Sequence, residues 1–304
     1  MHHTRRTFLR LGLPALATAA LSQRATAQAT PTLSFGIITD PQYADLPPRG
    51  ARNYRGSLEK LTTATAELNR RGVAFTLVLG DLIDRDFSSF QPVLQRLKLL
   101  TNPFHIVPGN HDFSVSDDEK SRILSNLGLS SAHRSITTPS WRLILIDGTE
   151  ISTYRHPAEH SITAEANSRL QALKSAGAPN AQTWNGAIGD AQLAWLDKEL
   201  TSARAAGQRA IVAGHFPILP ATDPHCLWNA ESVADTLRRH SHAAAYLCGH
   251  NHKGNYFKDR SFHHVNLKGM VENGDACAFS ILHCYPDFIT IEGFGPEPTR
   301  ENLR

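Results

Sequence analysis

Five short apolar runs in this chain each stop at a polar cluster: TDPQ (39–42), GDLID (80–84), GNHD (109–112), GHFP (214–217) and GHNH (249–252). Four of the five carry glycine at the strand end, where the missing side chain lets the backbone turn sharply. One such cluster says little. An aspartate after a strand is commonly a helix N-cap, and an isolated Gly-His is commonly an ordinary turn. Five in one chain, each at a strand end, constrain the fold far more. In open α/β sheets, ligands gather outside the carboxyl ends of the strands. Asp40, Gln42, Asp81, Asn110, His111, His215, His250 and His252 are therefore expected to converge although they are distant in sequence.

The segments between these runs agree. Apolar runs at 33–39, 75–79, 104–107, 142–146, 210–214 and 243–249 read as strands. Helical spacing marks 57–71, 92–100, 117–127 and 191–207, with a further helix near 230–240. After residue 253 the pattern is all strand. Alternation followed by a run of strands predicts an α/β sandwich of two sheets flanked by helices. Residues 148–190 lack clear strands and are expected to be an insertion over one edge. No internal repeat or low-complexity linker divides the rest, so 28–304 is expected to be a single domain.

Residues 1–27 are expected to stand outside that domain. They read as a basic region with Arg5-Arg6 and Phe8-Leu9, a short apolar run, and Ala25-Thr26-Ala27, the layout of a twin-arginine export signal. The apolar run is too short to span a bilayer comfortably, and no cysteine near it supports a lipid anchor. The reading is a periplasmic or secreted protein with no stable membrane anchor once the signal is removed. This leader holds four arginines and no acid. Without it, the 31 basic residues fall to 27 against 28 acids, so the formal charge of +3 belongs to the leader. Nothing in the remaining balance points to nucleic acid.

The residue types select a chemistry. Two aspartates, an asparagine, a glutamine and three histidines make a mixed oxygen and nitrogen set, enough for two divalent cations. An aspartate buried at a strand mouth needs a compensating positive charge, and for Asp40 that charge is expected to be metal. No thiolate stands among the strand-end motifs, against a structural zinc site. The four cysteines are expected to be buried thiols. If the run CAFSILHC is extended, Cys277 and Cys284 lie about 23 Å apart, too far to bridge.

The order D-x-Q, GDxxD, GNHD, GH, GHxH resembles the calcineurin-like metallophosphoesterases, over about residues 33–292. The resemblance implies the metallo-dependent phosphatase fold, a double β-sandwich flanked by helices. It implies Asp40, Gln42, Asp81 and His252 around one metal, with Asp81 bridging to a second held by Asn110, His215 and His250. It also implies that His111 faces the substrate with Asp112 orienting it, and that Asp84 stands behind the ligands. Most of that broad family has D-x-H at the first motif, and Gln42 replaces imidazole by an amide oxygen. Oxygen donors suit Mn²⁺, so manganese is favoured, with iron, zinc and magnesium as alternatives.

Four further blocks, at 40–61, 185–196, 214–229 and 263–273, are similar to the manganese-dependent ADP-ribose/CDP-alcohol diphosphatases. The activity this implies is hydrolysis of the diphosphate bond in a small nucleotide substrate. The alternatives are a phosphomonoesterase or broad phosphodiesterase on the same core, and an exported metal-binding protein without turnover. Arg52 and Arg55 are candidates to grip phosphate. Tyr43 and Trp228 are candidates to stack on a base or ribose, and Leu227 and Cys248 to shape the wall. His156 and His160 match HxxEH, but Pro157 argues against one helix carrying both. His263 and His264 are expected on opposite faces of a strand, and His240 and His242 on a surface turn.

Overall fold

The structure is a computed structural model that describes residues 1–2 and 30–304; the leader expected at 1–27 falls almost wholly outside the described residues. Pro31–Arg304 form one compact unit. Its strands are β1 (Leu33–Ile38), β2 (Thr76–Leu79), β3 (Phe104–Val107), β4 (Arg134–Thr137), β5 (Trp141–Leu145) and β6 (Arg209–Ala213). They continue with β7 (Ala243–Cys248), β8 (Asn255–Lys258), β9 (His263–Asn266), β10 (Phe279–Cys284), β11 (Ile289–Phe294) and β12 (Arg300–Leu303). The helices are α1 (Ser57–Arg71), α2 (Phe90–Leu97), α3 (Asp117–Lys120), α4 (Ile123–Asn126), α5 (Ser161–Ser175), α6 (Asp190–Ala205) and α7 (Ala230–Arg238).

The strands form two six-stranded mixed sheets, ordered β12-β11-β10-β1-β2-β3 and β4-β5-β6-β7-β9-β8. In the first, β1, β2 and β3 are parallel and β10 pairs antiparallel with β1. In the second, β5, β6, β7 and β9 are parallel. Side-chain alternation builds the layers. Phe35, Ile37, Leu77 and Leu79 meet Leu143, Leu145, Ile211 and Leu247 between the sheets. Ile38, Val78 and Ile106 pack with Leu61 and Leu68 of α1 and Val93 and Leu97 of α2. Ile144 and Val212 pack with Leu196 and Leu200 of α6 and Val233 and Leu237 of α7. Each fully buried side chain of this kind contributes about 1.5–3 kcal/mol through burial. The result is the helix–sheet–sheet–helix sandwich expected from the alternation.

Three local expectations change. The helix expected at 117–127 is two single turns, α3 and α4, separated by Ser121 and Arg122. Region 148–190 lacks strands as expected, but it carries the fifteen-residue helix α5 and closes on itself through an Ile151–Ala187 bridge. His240 is not on an open surface turn: it is buried with its Nε2 3.0 Å from Asp197. The four cysteines are free thiols. His160 caps α5 from outside it, so it shares no helix with His156. Among the described residues no helix is long and apolar enough to cross a membrane.

Candidate metal centre

The parallel strands β1, β2, β3, β6 and β7 end at one edge of the sandwich, and the five polar clusters meet there. Asp40, Asp81 and His215 are fully buried, and Gln42, Asn110 and His250 nearly so. The groups Asp81, His215, His250 and Asp40, Asp81, His252 each place one potential ligand atom per residue within 4.8 Å of the others. Asp81 belongs to both. His215 Nε2 lies 3.4 Å from Asp81 and 3.2 Å from Asn110 Oδ1, and His252 Nε2 lies 3.4 Å from Asp40.

Backbone geometry shows why these turns hold the residues they do. Asp40, Gln42, Asp81 and His250 all have φ between 41° and 67°, the left-handed region. Such conformations cost on the order of 1–3 kcal/mol each for non-glycine residues and persist where the surroundings over-determine them. Here the surroundings do. Gln42 N donates to Asp81 O at 2.8 Å, Val271 N to Asp40 O at 3.0 Å, and Asp40 N to Gly80 O at 3.2 Å. The carboxylates take further backbone donors: His250 N to Asp40, and His111 N to Asp81 at 2.8 Å. Gly109 is required by close approach, because a Cβ there would overlap the Asp81 carboxylate and backbone.

His215 and His252 are held through the ring atom that faces away from the cluster. Carbonyl and carboxylate oxygens only accept, so His215 Nδ1 donates to Leu79 O at 2.7 Å and His252 Nδ1 to Glu272 at 2.9 Å. Both leave Nε2 toward the cluster, the arrangement by which metal-ligating imidazoles are oriented.

The donor set also fits a metal electrostatically. Burial by itself would lower the pKa of His215, but the Asp81 and Asp40 carboxylates raise it to about 9. His252 is likewise raised to about 9, against burial, by Asp40 and Glu272. Burial would raise Asp81, yet His215, His111 and His250 hold it well below the ordinary carboxylate range. Burial and the neighbouring His215 push His250 down. The cluster thus calls for cationic charge at its centre, which divalent ions supply. Gln42 donates from Nε2 to Asp81 at 3.0 Å, and its Oε1 is buried with no partner. A buried amide oxygen without a donor costs about 1–3 kcal/mol, and a cation is a natural partner for it.

One expected pairing is corrected. Asp112 does not orient His111. Its carboxylate accepts from Leu82 N at 2.7 Å and Gly109 N at 2.9 Å, with Ile83 N at 3.4 Å, and so ties the second and third clusters together. Burial first, and then the charge of Asp81, raise its pKa to about 7. His111 instead turns to Asp84: Nδ1 donates to the Asp84 carbonyl at 3.0 Å, with an Asp84 carboxylate oxygen at 3.5 Å. The single 3-10 turn at His111–Phe113 sends these neighbouring side chains apart.

His111 lines a cavity of about 290 Å³ over the cluster, together with Arg52 and Trp184. A wider cavity of about 860 Å³ adjoins it, sharing Arg52, His225, His250 and His252 and adding Lys253 and Lys268. Of the expected substrate residues, the geometry brings only Arg52 here. Arg55 pairs with Asp45 at 2.6 Å on the exposed surface. Tyr43 is bridged to Ile83 and packs in the α1–α2 layer. Leu227 and Cys248 are fully buried in the α6–α7 layer, and Trp228 packs under α5 with its Nε1 on Gln182 O. These three are core residues, because their side chains leave the backbone on the helix-facing side. Sequence reasoning missed Glu272, Asn185, His225 and Trp184. Trp184 and Asn185 stand at the end of the 148–190 segment and Glu272 in the loop after β9; Asn185 and Glu272 fall inside the family-like blocks, but no metal-motif spacing marks them.

A buried Asp/His metal cluster at the strand ends of a double β-sandwich defines a metal-dependent phosphoesterase. The comparisons agree with this class. The sequence profile of the calcineurin-like phosphoesterases matches residues 33–254, and the chain belongs to that family. It is 31% identical to a manganese-dependent ADP-ribose/CDP-alcohol diphosphatase of Xenopus tropicalis, over 87% of this chain and 92% of that protein. It is 29% identical to the protein of the same description from Homo sapiens, over 88% and 91%. The crystal structure of a dimetal phosphatase from Danio rerio superposes with a TM-score of 0.79 at 24% identity, covering 90% of this chain and all of the other, and shows the same fold.

Proposed function

We propose that this phosphoesterase hydrolyses the diphosphate bond of a small nucleotide of the ADP-ribose or CDP-alcohol class, using two divalent ions with manganese preferred. The observation that carries the reading is the continuity of the two cavities across Arg52. A monoester needs room for one phosphate over the metals. The wider space beside Lys253 and Lys268 fits a substrate with a second phosphate and a bulky group beyond it. The names of the relatives support the same class.

In this reading Asp40, Gln42, Asp81 and His252 hold one ion, and Asp81, Asn110, His215 and His250 the other. When bound, the pair supplies Lewis acidity and an acidified water for in-line displacement at phosphorus. The chain's own residues supply position and protons. Asp84 fixes His111 with the proton on Nδ1, so Nε2 is the ring atom that serves the cavity. Protonated there, His111 stabilises the charge developing on the phosphate or hands a proton to the leaving group, an effect of about 10²–10⁴ in rate. Arg52, ion-paired with Glu272 at 3.1 Å, lies where its guanidinium can take a phosphate oxygen from either cavity.

The test uses protein beginning near Gln28, stripped of metal and reloaded with Mn²⁺, then incubated with ADP-ribose and with CDP-choline. Products identified by mass as AMP plus ribose 5-phosphate, or CMP plus phosphocholine, are the expected outcome. Inorganic phosphate from simple monoesters, with both diphosphates untouched, would replace the reading by a phosphomonoesterase.

The twin-arginine leader belongs to the proposal too. Folded export would let manganese load before zinc or copper can compete. Replacing Arg5 and Arg6 by lysine should retain the chain in the cytoplasm; unchanged appearance outside it would contradict this route.

A further inference from the structure

The 148–190 segment touches a residue of the metal centre directly through the side chain of Asn185. Asn185 is fully buried, and its amide nitrogen donates to two carbonyls, Asn180 O at 3.0 Å and Pro224 O at 2.7 Å. Those carbonyls can only accept, so they fix which end of the amide is nitrogen. The oxygen end is thereby turned toward His250, with Oδ1 3.0 Å from Nε2. An amide oxygen only accepts as well. His250 must then carry its proton on Nε2, which leaves Nδ1 as its free base.

This inverts the usage of the other two histidines, which present Nε2. The ring of His250 is also hemmed in by His215 at 4.9 Å, Phe216 at 4.7 Å and His225 at 5.4 Å between centroids. Asn185 itself sits on a braced segment. Trp228 N donates to Gly186 O at 2.8 Å, and Ile151 and Ala187 exchange backbone bonds at 3.0 and 2.9 Å. Asn180 and Asn229 side chains bond the neighbouring backbone at 2.6 and 2.8 Å. Nothing in this bracing requires an amide at position 185 except the combination of two carbonyls on one side and an imidazole on the other.

We infer that Asn185 is a positioning residue for His250, setting its tautomer and ring orientation so that Nδ1 faces the cluster, and that the 148–190 insertion is thereby part of the metal centre. The inference rests on the proposal that His250 is a metal ligand. Outer partners of ligating histidines typically contribute 10–100-fold to metal affinity.

The experiment is nitrogen NMR of ¹⁵N-histidine-labelled, metal-free protein, with His250 assigned by its loss in His250→Ala, beside Mn²⁺ titrations of the same samples. The wild type is expected to show a neutral His250 protonated on Nε2; a proton on Nδ1 overturns the inference before any Asn185 variant is made. Asn185→Ala should lose the fixed tautomer and bind Mn²⁺ about 10–100-fold more weakly. Asn185→Asp, held as the neutral acid by the two carbonyls, can donate to one of them and keep its other oxygen toward Nε2, and should retain the Nε2 proton and recover most of the affinity. An unchanged tautomer in Asn185→Ala, or equal loss in both variants, would overturn the positioning role. Undiminished Mn²⁺ binding by His250→Ala would instead sink the ligand reading, so the two failures are separable.

Discussion

A single carboxylate oxygen, Glu272 Oε1, accepts the Nδ1 proton of His252 at 2.9 Å and pairs with the Arg52 guanidinium at 3.1 Å. One residue therefore orients an imidazole of the cluster and holds the cation that lines both cavities. Glu272→Ala should weaken Mn²⁺ binding by about 10–100-fold. Arg52→Ala should leave Mn²⁺ binding within a few-fold while raising KM for a diphosphate. Manganese titrations and steady-state kinetics on both variants separate the effects; equal metal loss in the two would contradict the division of labour.

Asp84 and Asp112 should part company on substitution. Asp112 accepts two short backbone bonds and one longer one in the buried joint between two strand ends, so Asp112→Ala should cost about 2–5 kcal/mol of stability from orphaned donors. Asp84 acts on His111. Asp84→Asn keeps the backbone carbonyl that takes the Nδ1 proton and removes only the carboxylate charge 3.5 Å away, so it should leave the urea midpoint nearly unchanged and lower kcat by no more than about tenfold. A stability loss in Asp84→Asn matching that of Asp112→Ala would reverse this reading.

His264 gives the fold a pH dependence of its own. Buried and stacked on Tyr246, it accepts from Ile218 N at 3.1 Å, lies 3.7 Å from Cys248 Sγ, and feels the charge of Asp223. Burial lowers its pKa to about 4 from the ordinary 6.5. The unfolded chain then binds the proton first, so this contribution is full above pH 6.5 and is lost as pH falls toward 4. Between pH 7 and 5 it should amount to about 2 kcal/mol. Urea unfolding of metal-free protein at both values, beside His264→Gln, checks it; the variant should lack that part of the change.

Gly109→Ala should be among the most damaging single-methyl substitutions, because the added carbon meets the Asp81 carboxylate and its backbone nitrogen. Backbone on one side and a buried carboxylate on the other leave nowhere to shift. The expectation is insoluble protein or at least tenfold weaker Mn²⁺ binding. Soluble protein with native affinity would show that the strand ends are looser than this contact implies.

The sequence showed the strand ends clearly, because an apolar run that stops at glycine and a polar residue is a local pattern. The convergence followed from sheet topology. Side-chain direction was less legible. Leu227, Trp228 and Cys248 are near the clusters in sequence, but packing takes all three into the core. The family resemblance implies Asp112 behind His111, whereas one tight turn sends the two side chains apart and brings Asp84 across from another strand end. Glu272 and Asn185 lie on loops whose placement is decided by tertiary contacts, so no spacing could reveal them. The break at Ser121–Arg122 has no local signal, because acids in the first turn mark a helix start and say nothing of its length.

In the proposed centre one cluster holds two cations that share Asp81. The direct measurement is X-ray diffraction from Mn²⁺-loaded crystals at the manganese absorption edge. Two anomalous peaks are expected, one beside Asp40, Gln42 and His252 and one beside Asn110, His215 and His250, with the Asp81 carboxylate between them. A single peak at saturating manganese, or two peaks with Asp81 on neither, would contradict it.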